Sequence, residues 1–186
     1  MPVDPRNTTN TVNAHTSNAH TAALYRMNAT STGDHFYTTN LQEAQNAQAQ
    51  QGYHFEGDGK PEHSIACYVY DKQMSGTTAL YRMNATSTGD HFYTTNLQEA
   101  QNAQAQYGYH FEGDGTAEHS IACYVYDKQM SETTALYRLV APSTGDHLYT
   151  TNLYEKDLAQ TKYGYTLEVV ACYVFPGTLP VTWRPS

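Results

Sequence analysis

Hydrophobic and polar positions along this chain fall into one pattern that is used three times. Leu24-Tyr25-Arg26-Met27 reads as a short strand, Asn28 to Gly33 as turn chemistry, and Asp34 to Thr39 as a second strand rich in aromatic and β-branched residues. Two strands joined by a short glycine-containing loop predict a hairpin. Asn40-Leu41-Gln42-Glu43 then has the form of a capping box, and an Ala/Gln-rich helix follows to about Gln51, with Gly52 in the position that ends it. Leu41, Ala44 and Ala47 form a thin apolar stripe, so the helix is expected on the surface. Tyr53 to Gly57 reads as a third strand, Asp58 to Ser64 as a polar loop and Ile65 to Tyr70 as a fourth strand.

The unit is therefore β-β-α-β-β, and it recurs. Leu24 to Thr39 returns unchanged as Leu80 to Thr95 and in edited form as Leu136 to Thr151, a period of 56 residues. Residues 24–79 and 80–135 differ only at Gln51/Tyr107, Lys60/Thr116, Pro61/Ala117 and Gly76/Glu132. The third copy, 136–175, is shorter and lacks the polar loop. Units of about 50 residues are too small to be comfortable alone, so they are expected to share one core. Twelve short strands must hide their edges, and closure is the general solution. The expectation is a mostly β, β-trefoil-like closed domain over residues 23–186, with a short surface helix per repeat. Residues 1–22 read as a polar arm carrying His15 and His20 as solvated residues. The tail 176–186 holds the single tryptophan, Trp183.

Composition narrows the function. A formal charge of −8 without a Lys/Arg cluster removes a nucleic-acid footprint and disfavours an anionic membrane surface. No run reaches the ~20 apolar residues of a membrane helix. Residues 1–22 have no apolar signal-peptide core, so the chain reads as cytoplasmic or non-classically secreted. The odd set Cys67, Cys123 and Cys172 sits at equivalent strand positions, which argues for buried free thiols. Asn7-Thr8-Thr9, Asn28-Ala29-Thr30 and Asn84-Ala85-Thr86 have the form of glycosylation sequons and read as turn residues.

The order Tyr-Arg, turn, Gly-Asp-His-Phe-Tyr-Thr-Thr, Glu in a helix, Gly-Tyr, Glu-Gly and a final aromatic strand covers residues 24–175. It resembles the uncharacterised tandem repeats attached to bacterial cell-wall hydrolases and other secreted proteins, and found alone in some fungi. That resemblance implies a non-catalytic binding region with carbohydrate as the target. A second, architectural likeness is to the three-fold fruiting-body lectins of fungi. The third copy departs from the pattern at Glu168-Val169.

Candidate sites follow from the repeated polar residues. Asp34, His35 and Tyr37, with Asp90, His91 and Tyr93 and with Asp146, His147 and Tyr149, could form a sugar subsite of aromatic face and hydroxyl partners. They could equally be the polar support that builds each repeat, since such a motif must appear in every copy. Each of Arg26, Arg82 and Arg138 has glutamates in its own repeat with which to fork. Tyr53, His54, Asp58, Glu62 and His63, with Tyr109, His110, Asp114, Glu118 and His119, could line a pocket whose wall is the displayed polar loop. The loop spacing matches neither a calcium nor a zinc motif, so no metal and no cofactor is expected. The leading expectation is a non-enzymatic multivalent lectin with equivalent sites in repeats 1 and 2 and a degenerate third, binding glycans or glycoproteins. The alternative is a protein-binding module, such as a protease inhibitor, acting through the unrepeated loop at Pro176 to Pro180.

Overall fold

The computed structural model describes residues 19–179. Most of the polar arm, with His15 and the first sequon, lies outside those residues, as does the end of the tail with Trp183. Repeat 1 contains β1 (Thr21–Ala29), β2 (His35–Thr38), α1 (Leu41–Gln50), β3 (Tyr53–Phe55) and β4 (Ile65–Tyr70). Repeat 2 contains β5 (Thr78–Ala85), β6 (His91–Thr94), α2 (Leu97–Tyr107), β7 (Tyr109–Phe111) and β8 (Ile121–Val125). Repeat 3 contains β9 (Thr134–Val140), β10 (His147–Thr150), α3 (Leu153–Lys162) and β11 (Thr166–Pro176). There are eleven strands among the described residues because repeat 3, lacking the polar loop, runs its last two strands together as β11.

Within repeat 1 the long strand β1 pairs antiparallel with β2 on one side, and with β3 and β4 in succession on the other. Repeat 2 repeats this pairing. Between repeats the ladder thins to its tips: Tyr70 opposite Tyr124, Tyr68 opposite Phe175, and an isolated bridge from Tyr126 to Tyr173. The domain is mostly β and three-repeat as expected, but its sheet is not closed into a barrel. Side chains complete the ring instead.

Alternation along β2 explains how. Phe36 turns outward into a cluster with Met27, Phe55, Ala44 and Ala47, which seats α1. Ala at both helix positions lets the helix lie close to the sheet, while Leu41 stays 38% exposed. Asn40 caps α1 by accepting from the backbone N–H groups of Gln42 and Glu43. Tyr37 turns inward to the common core, where Leu24, Leu80 and Leu136 meet Cys67, Cys123 and Cys172. The three thiols are free and buried, and burial raises their pKa values.

Tyr37, Tyr93 and Tyr149 form a cyclic triad with ring centroids 5.4–5.5 Å apart, edge to face. Each hydroxyl serves the backbone of the preceding repeat's tyrosine twice, the first repeat's closing on the third. The Tyr93 hydroxyl accepts from the Tyr37 N–H at 2.8 Å and donates to the Tyr37 carbonyl at 2.8 Å. The hydroxyl of Tyr149 does the same for Tyr93, and that of Tyr37 for Tyr149. The triad thus replaces the ladder that a barrel would have supplied.

Tyr93→Phe leaves a buried N–H and a buried carbonyl of Tyr37 unpaired. A loss of about 2–4 kcal/mol is expected in denaturant unfolding, from the cost of two such groups; an unchanged unfolding midpoint would contradict this role for the triad.

Candidate functional site: the clefts between repeats

The three repeats meet through one polar arrangement used three times. Asp34 of repeat 1 receives the backbone N–H of His91 at 2.9 Å and its Nδ1 at 2.7 Å, and the Tyr53 hydroxyl also donates to it. Asp90 holds His147 and Tyr109 in the same way. Asp146 closes the ring on His35 and Tyr165. The other imidazole nitrogen of each His faces a glutamate: Glu56 from His35 at 3.1 Å, Glu112 from His91 at 3.1 Å and Glu168 from His147 at 3.5 Å.

Arginines bridge the same interfaces. Arg82 forks onto Glu43 of the preceding helix and pairs with its own Glu112. Arg138 does so with Glu99 and Glu168. Arg26 does so with Glu155 and Glu56. The helix glutamate therefore serves the next repeat and not its own, a correction to the in-repeat pairing expected from sequence. Planar bidentate forks fix orientation as well as distance, so each helix is pinned to its neighbour's sheet.

The Asp-His-Tyr residues singled out in the sequence are thus placed inside. Asp34, Asp90 and Asp146 are 2–3% exposed and the triad tyrosines 1%. Their polar atoms are committed to one another, so they do not present the open sugar subsite considered above. The three aspartate carboxylates approach within 4.8 Å of one another, the one convergence of metal-ligating atoms among the described residues. Each already accepts from a backbone N–H at Oδ1 and from an imidazole and a phenol at Oδ2.

Burial alone would lower the histidine pKa values, but the neighbouring carboxylates outweigh it. His35 is raised to about 10, chiefly by Asp146, and His91 and His147 to about 9 by their Asp and Glu partners. Burial also opposes ionisation of Glu56, yet Arg26 and His35 hold its carboxyl down at about 2. Tyr53, Tyr109 and Tyr165 are raised by burial and by the adjacent Asp, so they remain donors.

Clefts lie above this network at the 1/2 and 2/3 interfaces. Between repeats 1 and 2, about 580 Å³ is bounded by Phe36, Asn46, Ala47, Gln50, Gln51, His91 and Glu112. Between repeats 2 and 3, about 560 Å³ is bounded by the equivalents Phe92, Asn102, Ala103, Gln106, Tyr107, His147 and Glu168, with Ser87, Thr88, Tyr109, Arg138 and Val140. Each cleft has an aromatic and ionic floor and a helix wall of amide side chains. Arg82 lies 5.2 Å over the Phe36 ring and Arg138 4.8 Å over that of Phe92. Across each Arg–Glu bridge lies a second hollow. That at interface 1/2, about 240 Å³, is bounded in part by His119 of the repeat 2 loop. Its counterpart at interface 2/3, about 590 Å³, has Val169 and Val170 where that loop is missing.

The 3/1 interface differs. Leu148 stands in place of the phenylalanine and Leu158 in place of the asparagine. Arg26 and His35 are 1% exposed there. The C-terminal segment lies against repeat 1, where the N–H groups of Thr178 and Leu179 both donate to the Ile65 carbonyl. Thr178 Oγ1 also donates to the Glu62 carbonyl at 3.3 Å. The described part of the loop offered as a protein-binding alternative, residues 176–179, is therefore laid down on the domain.

In the polar loops Asp58, Glu62 and His63, and Asp114, Glu118 and His119, are exposed. Asp58 pairs with His63 at 2.8 Å and Asp114 with His119 at 2.6 Å, which braces each loop. Exposed His54 and His110 alternate along their strands with Tyr53/Phe55 and Tyr109/Phe111. Sequence reasoning missed Tyr165, the third partner of the Asp ring, although the 56-residue period marks it. It also missed Asn46, Asn102, Gln50 and Gln106, which were assigned only to a surface helix.

The family model described as a domain of unknown function, DUF5648, matches residues 6–119 and again 64–175. The two overlapping matches reflect the tandem repeats, and the chain belongs to that family. No curated protein and no solved structure matches it. No described helix is long and apolar enough to cross a membrane.

The histidine ring gives stability a pH signature. Folded pKa values lie above the unfolded value of about 6.5, so this contribution is complete below that pH and is lost as pH rises through about 9–10. The lowered carboxylates add stability above their ordinary 4.5 that is lost on acidification. The melting temperature should therefore peak near pH 5–6.5 and fall steadily to pH 10; a flat profile from pH 6 to 10 would be inconsistent with charged imidazoles. Asp90→Ala should cost about 3–5 kcal/mol by stranding the buried His147 charge; full stability in urea unfolding would show the carboxylate to be dispensable.

Proposed function

We propose that the chain is a multivalent carbohydrate-binding protein whose sites are the 1/2 and 2/3 clefts. The carrying observation is the paired repetition of one cleft lined by an aromatic ring, paired charges and a row of helix amides. Pyranose rings offer hydroxyls, which such a surface matches through Asn46 and Gln50 or Asn102 and Gln106 and the paired charges beside them, while the buried Phe36 and Phe92, each beneath an arginine, floor the clefts. Single sites of this size are weak, and two on one rigid frame gain avidity without new contacts.

This reading moves the sites from within repeats 1 and 2 to the junctions after them. The number, two, rests on the residues of the cleft: at the third junction Leu148 and Leu158 replace the phenylalanine and the asparagine, and Arg26 is buried. The resemblance to repeats on cell-wall hydrolases supports the ligand class. Catalysis has no support of comparable weight, because the buried Asp-His pairs hold repeats together and the exposed Asp58–His63 and Asp114–His119 pairs brace their own loops.

A glycan array screened with labelled protein is the test. Binding to a coherent set of glycans is expected. Asn46→Ala and Asn102→Ala should each weaken it about tenfold, as loss of one hydrogen-bonding group does, and the double variant should abolish avidity. Both asparagines are exposed, so unfolding midpoints should stay within about 0.5 kcal/mol of the parent. A blank array with folded protein would sink the proposal.

A further inference from the structure

Resting on that reading, we infer that the two clefts are unequal, and that the 2/3 cleft is the principal site, taking a neutral pyranose stacked on Tyr107. Repeats 1 and 2 differ at only four of 56 positions, and one of them is Gln51 against Tyr107, on the rim of each cleft at the end of the helix. Tyr107 is 69% exposed. A tyrosine ring left this open on a cleft edge is a large apolar face held in water, the platform on which a sugar's C–H surface stacks.

A second difference lies across the cleft. Val140 bounds the 2/3 cleft at the position held in repeat 2 by Asn84, whose amide lies 3.4 Å from His91 Nε2. The 2/3 cleft therefore has an apolar side chain on each side, with Asn102 and Gln106 preceding Tyr107 on the helix. The 1/2 cleft has Gln51 on its rim, and Asn84, the counterpart of Val140, is turned to His91. Equivalent sites, as the near-identity of the repeats suggests, are thus not what the rims provide.

Charge selects the ligand. The ionised groups bounding the 2/3 cleft are Glu99, Glu168, Arg138 and His147, two of each sign, and they pair with one another. His147 is charged at neutral pH, held there by Asp90 and Glu168. An acidic sugar would have to displace a glutamate from Arg138, and an amino sugar would have to displace Arg138 from a glutamate. A neutral glycan disturbs neither.

The test uses the full chain and the neutral glycan best retained on the array, titrated by calorimetry against the parent, Tyr107→Gln and Gln51→Tyr. Each substitution installs the residue that the other repeat already carries, so both variants fold. The parent should show a tight and a weak site. Tyr107→Gln should weaken the tight site roughly tenfold, the order of a single aromatic contact, and Gln51→Tyr should tighten the weak one. A glycan that binds the parent and Tyr107→Gln equally overturns this inference while leaving the carbohydrate reading intact. Retention of sialylated or uronic glycans alone overturns the neutral ligand class. A blank array removes both readings together.

Discussion

The buried aspartate–histidine ring is the constraint on which the rest of this structure depends. Each carboxylate of one repeat clamps the backbone and side chain of the next repeat's histidine, and the third returns to the first. Ring closure by side chains frees the sheet from closing as a barrel. It also requires charged groups in the interior, and these are tolerated because each has a partner and hydrogen bonds. The arginine forks and the tyrosine triad follow the same direction around the ring, so every interface is built from two repeats.

That geometry determines where a ligand can sit. Polar residues repeated in every copy are consumed at the interfaces, and what remains open is the space between one repeat's helix and the next repeat's hairpin. Such spaces lie at the 1/2 and 2/3 junctions; at the third, Leu148 and Leu158 replace the phenylalanine and the asparagine, and the C-terminal segment lies against repeat 1. The variable positions, Gln51 against Tyr107 and Asn84 against Val140, are what distinguish the two clefts. Acidic net charge is compatible with this, since the ionised groups in the clefts are largely neutralised locally.

Much of this was legible in the sequence. The 56-residue period, the hairpins, the capped helix beginning at Asn40 and the buried thiols all rest on local rules that hold regardless of context. The partner of each ionised group was not legible. Glu43 can reach Arg26 or Arg82 in an exact repeat, and the two pairings read identically along the chain. The clefts were hidden for the same reason, since each combines residues 40 or more apart that a single unit does not contain. The polar loop drew attention as a displayed acidic segment, yet its Asp58–His63 pair braces the loop, and of the repeat 2 copy His119 and Ser120 border the hollow. The Gln51/Tyr107 difference was visible as a substitution, but its place on a rim required the fold.

The most direct measurement is a backbone amide chemical-shift map recorded as a neutral glycan is added to the folded protein. The account predicts the largest shifts along Asn102 to Tyr107 and at Val140 and Gly145, smaller ones at Asn46 to Gln51, and little change in the loops at 58–63 and 114–119. Shifts concentrated in those loops, with the helix ends silent, would contradict it.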